Sequence, residues 1–201
     1  MNKKQILPIS FYEFDAPETL AKDLLDYVTN LTYTKNVYNK TMNSQVESFN
    51  FPSFTDWVHK CLEKVKQEEY GDVNWQLYIT QIWTNKSNYG EFHHKHLHPN
   101  SIVSGIFYLN DFEKGGGTKF FHPNPYYKVE LSEVLNLSSK KRQHELIDTV
   151  QTKFGKLVIF PSSINHTTVP HTSVDTRYTV AFNTFIKGVI GKTEEASYLQ
   201  L

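Results

Sequence analysis

Glu91-Phe92-His93-His94-Lys95-His96-Leu97-His98-Pro99 carries four of the chain's nine histidines. In an extended backbone, side chains two apart project to the same side, so His94, His96 and His98 share a face and His93 points away. Same-face imidazoles can converge on one ion, which makes His-x-His a bidentate metal unit. The spacing is met by His94 with His96 and again by His96 with His98. Pro99 ends the strand directly after His98 and favours the His96/His98 pair, with His94 as the alternative first ligand.

A metal that does chemistry needs a third ligand from elsewhere and open coordination positions. The apolar strand Leu157-Val158-Ile159-Phe160, the turn Pro161-Ser162-Ser163 and then His166, opening another strand, supply one. Further on, Arg177 enters the alternating segment Tyr178-Thr179-Val180-Ala181-Phe182-Asn183. An arginine entering an apolar strand is costly to bury unless an anion meets it, and its planar fork suits a carboxylate.

Outward from these segments the pattern is one of short strands. From Val73 the period is two: Trp75, Leu77, Ile79, Gln81 and Trp83 alternate with Gln76, Tyr78, Thr80 and Ile82, which predicts a strand with one face in the core. Further strands are expected at 102–110, 118–121, 126–130, 146–152, 157–160, 167–169 and 178–186. Gly115-Gly116-Gly117 and Phe154-Gly155-Lys156 form turns between them. Toward the N-terminus, 7–12 reads as an edge strand. Asp15-Ala16-Pro17-Glu18 reads as a helix start with Asp15 as cap, followed by Leu20, Leu24, Leu25 and Val28 at helical spacing. Ser53 opens a second helix, whose stripe of Phe54, Trp57, Val58, Cys61, Leu62 and Val65 ends near Gly71. The polar stretch 132–145, with Lys140-Lys141-Arg142, reads as a solvated surface segment. The expected architecture is a single domain over 1–201. Its helical support spans about 1–72 and its antiparallel β core about 73–190.

Composition narrows the function. The 201 residues are 39% hydrophobic and 21% charged, an ordinary globular balance. Twenty-one Lys and Arg offset 21 Asp and Glu, which argues against a protein that wraps phosphate backbone. No apolar run is long enough to span a bilayer, and the two lysines near the start have no apolar segment behind them. The single Cys61 excludes an internal disulfide framework, reads as a small core hydrophobe, and fits a reducing, cytoplasmic compartment. Gly115–Gly117 is no phosphate loop, because no Gly-Lys-Ser/Thr follows. His122 reads as part of a turn and His171 as an exposed loop residue, while His59 and His144 receive no role. Trp83 suits core packing or the wall of the site, and Asn85 could hydrogen-bond a substrate.

The segments His96-Leu97-His98-Pro99-Asn100-Ser101, Ser104-Gly105-Ile106-Phe107-Tyr108-Leu109, Phe160-Pro161-Ser162, His166, Arg177 and Phe182-Asn183 occur in one order. In that order and spacing the chain resembles the iron(II)- and 2-oxoglutarate-dependent oxygenases that carry a His-x-His-Pro segment running into a Ser-Gly-x-x-Tyr strand. The resemblance covers about residues 75–187 and implies a mainly β fold, the cupin-like double-stranded β-helix or jelly roll, with N-terminal helices packed against it. It implies iron(II) at His96, His98 and His166, and 2-oxoglutarate as co-substrate with its far carboxylate on Arg177. Tyr108 and Asn183 match strands that line the pocket in related enzymes, and Ser104, four residues before Tyr108 on the same face, is expected to look inward as well. The wider superfamily uses two histidines and a carboxylate, in a His-x-Asp or His-x-Glu pattern. No histidine of this chain has an acid two residues on, so its donor set is one negative charge poorer.

The implied activity is that of a dioxygenase hydroxylating a small molecule or a protein side chain. Two alternatives keep the barrel: a cupin-type metalloenzyme that does not use 2-oxoglutarate, and a non-catalytic metal-binding module. Arg177 discriminates the first alternative from the oxygenase reading, and metal content discriminates the second.

Overall fold

The structure is a computed structural model that describes residues 9–36, 44–46, 49–121, 146–192 and 197–201. In chain order its elements are β1 (Tyr12–Asp15), α1 (Glu18–Thr29), β2 (Thr34–Lys35), β3 (Ser44–Val46), α2 (Pro52–Tyr70), β4 (Trp75–Ser87), β5 (Val103–Tyr108), β6 (Thr118–Phe121), β7 (Leu146–Val150), β8 (Lys156–Pro161), β9 (His166–Thr168), β10 (Arg177–Ile190) and β11 (Leu199–Gln200). The strand expected at 126–130, the polar stretch 132–145, His122, His144 and the start of the edge strand at 7–8 lie outside the described residues.

Two sheets face each other. The larger runs in the order β1-β8-β5-β10-β4-β3-β2, with β11 also paired to β10, and the smaller runs β7-β6-β9. Between them Tyr108, Val158 and Phe160 of the large sheet meet Phe120 and Val150 of the small one, with Ile164 beside them. This antiparallel two-layer arrangement is the jelly roll. The opposite face of the large sheet carries both helices. Ala21, Leu24 and Val28 of α1 and Phe54, Val58, Cys61, Leu62 and Val65 of α2 pack on Leu77, Phe107, Leu157, Ile159, Val180 and Phe182. Each such side chain removed from water contributes about 1.5–3 kcal/mol, so the helices are fixed to the sheet by area rather than by polar contacts. Among the described residues no helix is long and apolar enough to cross a membrane.

Three local readings change. The first helix begins at Glu18 behind Pro17 and has no side-chain cap, because Asp15 is already the last residue of β1 and pairs with Lys153 at 2.9 Å. A two-residue link from strand to helix leaves Asp15 no room to turn back onto the helix. Of the edge strand expected over 7–12, the described residues 9–11 are not in strand; β1 runs Tyr12–Asp15, still at a sheet edge. The strict alternation along β4 fails at Thr80: Gln81 pairs with Asn183, but the next partner of β10 is Ile79 with Thr184. Thr80 is the extra residue of a β-bulge, which reverses the faces beyond it. Trp75, Leu77 and Ile79 therefore point to the helices, as Ile82 does after the bulge, while Trp83, Asn85 and Ser87 point between the sheets.

At the centre of the helix-facing surface Gly105 lies opposite Phe182, whose ring covers it. A Cβ at position 105 would stand 2.1 Å from Phe182 Cζ. Gly105→Ala is expected to lower stability by about 1–3 kcal/mol through overpacking. Denaturant unfolding of Gly105→Ala against Gly105→Ala/Phe182→Leu checks it, since a smaller side chain at 182 should recover part of the loss.

Candidate metal centre and anion pocket

The segment that carries the histidines is held by its own backbone. Residues 91–98 run antiparallel to 162–171: His96 N–H donates to the His166 carbonyl at 2.9 Å and His166 N–H returns the bond at 2.8 Å. His98 N–H donates to Ser162 O at 3.0 Å, Thr168 N–H to His93 O at 3.2 Å, and His171 N–H to Glu91 O at 3.0 Å. Glu91 is anchored in turn, accepting from Lys35 Nζ and from Asn88 N–H. The clamp sets His96 and His98 opposite His166, at the open end between the sheets.

His96, His98 and His166 each offer one ring nitrogen, and these nitrogens lie within 4.8 Å of one another. His98 Nε2 and His166 Nε2 are 3.3 Å apart, and the ring centres are separated by 4.3 Å (His96–His166), 4.9 Å (His96–His98) and 5.0 Å (His98–His166). Two imidazoles bound at right angles to one divalent ion, about 2.1 Å from it, have nitrogens about 3.0 Å and ring centres about 4.5 Å apart. The donor set fits a first-row metal. Hydrogen bonds fix the tautomers to match: His166 Nδ1–H donates to Ile164 O at 3.1 Å and His96 Nδ1–H to His94 O at 2.8 Å, which leaves each Nε2 a lone pair. Burial, then the nearby His96 ring, pushes His166 down to about 2 and His98 down to about 4, so both rings are neutral at pH 7. Neutral imidazole is the form that binds a metal.

His93 departs from its expected orientation. The chain bends at Lys95, so the two-residue alternation stops there; His93 lines the cavity and His94 is exposed.

Deeper in the cavity Arg177 is 3% exposed. Its Nε has no hydrogen-bond partner, and no ion pair among the described residues includes it. Burial pushes the guanidinium down to about 10. The Tyr108 ring centre lies 5.8 Å from its central carbon, and the Tyr108 hydroxyl donates to Thr118 Oγ1 at 2.7 Å. Thr118, Thr179 and Ser87 complete this part of the wall. A buried cation facing a polar cavity without a counter-charge is a site for an anion. The residues present therefore fit 2-oxoglutarate's far carboxylate.

Ser104 and Asn183 take a different place. They share the cavity face of the sheet but do not line the cavity. Ser104 Oγ–H donates to Asn183 Oδ1 at 2.8 Å, and its oxygen lies beside the Ser162 hydroxyl, whose own proton goes to Ser101 at 2.7 Å; Asn183 donates to Gln81 at 3.2 Å. This chain supports the Ser162 carbonyl that holds His98. Trp83 lines the cavity with its ring 5.7 Å from His98, and Asn85 Nδ2 reaches Thr179 Oγ1 at 3.4 Å.

His171, expected to be exposed, is fully buried. The 115–117 segment covers it: Gly115 bridges His171, and Gly116 N–H donates to Val169 O at 3.2 Å. Gly116 has φ +68, and a Cβ there would stand 3.0 Å from Arg177 Cδ and 3.3 Å from His171 Nδ1. The glycine run lets Arg177 lie against backbone. Nothing in the local sequence around 171 signals this burial, and Thr118, Thr168 and Ser87 likewise become wall residues only through the pairing of strands. His59 lies on the exposed side of α2.

The family model described as "Putative 2OG-Fe(II) oxygenase" matches residues 81–183, slightly more than half of the chain and the whole of this site. No curated protein matches the sequence. Among solved structures, HygX from Streptomyces hygroscopicus, determined with nickel and 2-oxoglutarate bound, superposes with a TM-score of 0.63 at 13% identity, over 88% of this chain and 82% of that one. A prolyl-4-hydroxylase from Pseudomonas putida gives 0.56 at 14% identity over 86% and 91%. The viral collagen prolyl hydroxylase of Paramecium Bursaria Chlorella virus-1, in complex with 2-oxoglutarate, gives 0.57 at 11% identity over 87% and 94%. At these identities the likeness is one of fold. The family match assigns the chemistry and sets aside the two alternatives that dispensed with 2-oxoglutarate: the chain belongs to the 2OG-Fe(II) oxygenases and is an iron(II)- and 2-oxoglutarate-dependent oxidoreductase.

Proposed function

We propose that His96, His98 and His166 hold iron(II), that Arg177 takes the far carboxylate of 2-oxoglutarate, and that the enzyme hydroxylates a C–H bond of a small molecule or a protein side chain. The observation that carries the assignment is the meeting, in one cavity, of three neutral imidazoles with a buried guanidinium that lacks an anion. When bound, the metal supplies the redox chemistry that couples oxidative decarboxylation of 2-oxoglutarate to oxygen insertion. The chain supplies placement. Ile164 O and His94 O orient His166 and His96, and Ser162 O fixes His98 through its backbone. Arg177 sets the depth at which a dicarboxylate enters, with Thr118 and Thr179 beside it. Trp83, Ile106 and Ala181 form the apolar part of the wall and exclude water between the two subsites.

Ser104 and Asn183 act on this reading through the Ser162 loop and not by touching co-substrate, and Tyr108 acts from beneath Arg177. The substrate reaches the open side at His98 and Trp83. The balanced charge argues against nucleic acid as that substrate. Cys61 is buried and unpaired, with its thiol pushed up to about 11 by burial, as suits a reducing, cytoplasmic setting.

Tag-free apoprotein loaded with iron(II) without oxygen should develop the visible charge-transfer band of an iron-bound 2-oxoglutarate chelate and, on aeration, form succinate. His98→Ala and His166→Ala should each abolish the band. Arg177→Ala should weaken 2-oxoglutarate binding roughly ten- to a hundredfold, as loss of a charge-assisted hydrogen bond of about 1.5–3 kcal/mol demands, and Arg177→Lys should retain part of it. An unchanged affinity in Arg177→Ala refutes the assignment.

Ser104→Ala separates support from contact. It leaves the Asn183 Oδ1 acceptor without its buried donor, so unfolding should show a loss of about 1–3 kcal/mol. Titration of the folded variant should give unaltered 2-oxoglutarate affinity.

A further inference from the structure

A second group of imidazoles stands at the rim of the cavity. His93, His94 and His96 each present one ring nitrogen, all within 4.8 Å of one another. His93 Nδ1 lies 3.2 Å from His96 Nδ1, and the ring centres are separated by 4.3 Å (His93–His96), 4.8 Å (His93–His94) and 5.4 Å (His94–His96). These spacings match those of the cavity group, and they too suit imidazoles about 3.0 Å apart at nitrogen on one ion. The bend at Lys95 creates the group: it swings His93 inward beside His96 and leaves His94 open to solvent, from which an ion can arrive.

We propose that His93, His94 and His96 form a second site for a divalent transition ion of the kind that imidazole prefers, such as nickel, zinc or copper, and that this site competes with the cavity site for His96. The competition follows from the chemistry of one ring. A neutral imidazole has a single lone pair, on one nitrogen or the other. Serving the cavity with Nε2 keeps the proton on Nδ1, where it bonds to His94 O at 2.8 Å. Serving the rim uses Nδ1, the atom beside His93 Nδ1, and moves the proton to Nε2. His96 therefore belongs to one ion at a time, and an ion at the rim removes one of the three cavity ligands. The inference rests on the assignment of the cavity ligands made above only for its competitive part; the rim site stands on its own geometry.

Nickel binding by tag-free apoprotein, measured by calorimetry and by metal content after dialysis, tests it. The His98→Ala/His166→Ala variant, which keeps all three rim histidines, should still bind one nickel ion. Adding His94→Ala should weaken that binding by about tenfold or more, since losing a direct ligand costs at least as much as losing an outer-shell partner. His94→Ala alone should leave the tight cavity ion in place. Failure of the double variant to bind nickel, or its indifference to His94→Ala, overturns the proposal while leaving the cavity assignment intact. One nickel ion in each protein is expected, but a nickel affinity in the double variant equal to that of the wild type refutes the cavity assignment instead and supports the rim site. Should the double variant not fold, the wild type loaded with iron(II) and 2-oxoglutarate decides. Zinc should bleach its charge-transfer band, and His94→Ala should raise the zinc concentration needed by about tenfold. No change in that concentration overturns the proposal.

Discussion

Two backbone segments far apart in sequence hold each other, and the site exists because they do. The reciprocal hydrogen bonds between His96 and His166, flanked by those from His98 to Ser162 and from His171 to Glu91, put the three clustered histidines themselves into the ladder. The side chains that converge and the groups that make them converge are thus the same residues. Individual backbone bonds of this kind contribute about 0.5–1.5 kcal/mol each, so the arrangement depends on several acting together and on the rigidity of β8 and β9 beneath them. Gathering three neutral imidazoles, His166 buried and the other two half-buried, costs desolvation and sets lone pairs toward one another, a cost that a bound cation would offset.

The buried guanidinium obeys the same logic with the opposite sign. Arg177 opens β10 in the row occupied on β4 by Ser87, a short side chain that leaves it space. Behind it the backbone of Gly116 takes the place a side chain would fill, and beside that backbone lies the fully buried His171. Tyr108 offers its ring to the cation and turns its hydroxyl away to Thr118. No carboxylate of the described residues reaches the group, so its charge is kept for what enters the cavity. One end of the pocket gathers imidazole lone pairs that suit a cation and the other a buried guanidinium that suits an anion, and a chelating dicarboxylate is the kind of molecule that joins the two.

Much of this was legible in the sequence because the fold is written in apolar alternation. Short strands at β5, β6, β8 and β10 and the stripe of α2 follow from which residues avoid water, and the Ser-Gly-x-x-Tyr and His-x-His-Pro segments carry a resemblance that the family match bears out. The illegible parts are those where a single residue changes phase. Thr80 reverses β4, so Trp83 passes from one layer to the other, yet no glycine or proline marks the bulge. The bend at Lys95 turns His93 inward although an extended chain would send it out. His171 is buried under the glycine segment 115–117, more than fifty positions earlier, a long-range pairing that local polarity cannot report. Ser104 is legible as a pocket-facing residue, but its neighbours Ser162 and Asn183 come from two distant segments.

On the proposed assignment the donor set departs from the two-histidine, one-carboxylate pattern of the wider superfamily. No carboxylate of the described residues lines the cavity, so attraction for a divalent ion at the three imidazoles would fall to ligand geometry and to whatever anion is bound with it. A dicarboxylate seated on Arg177, as proposed, would restore that charge at the metal. Metal and co-substrate binding should therefore strengthen one another more in this chain than where the protein provides the carboxylate, because thermodynamic coupling between two ligands is reciprocal and grows with the charge each supplies to the other. The histidines at the rim sharpen the point. A site held by imidazoles alone selects poorly among imidazole-loving ions, and the anion that completes it also does part of the choosing.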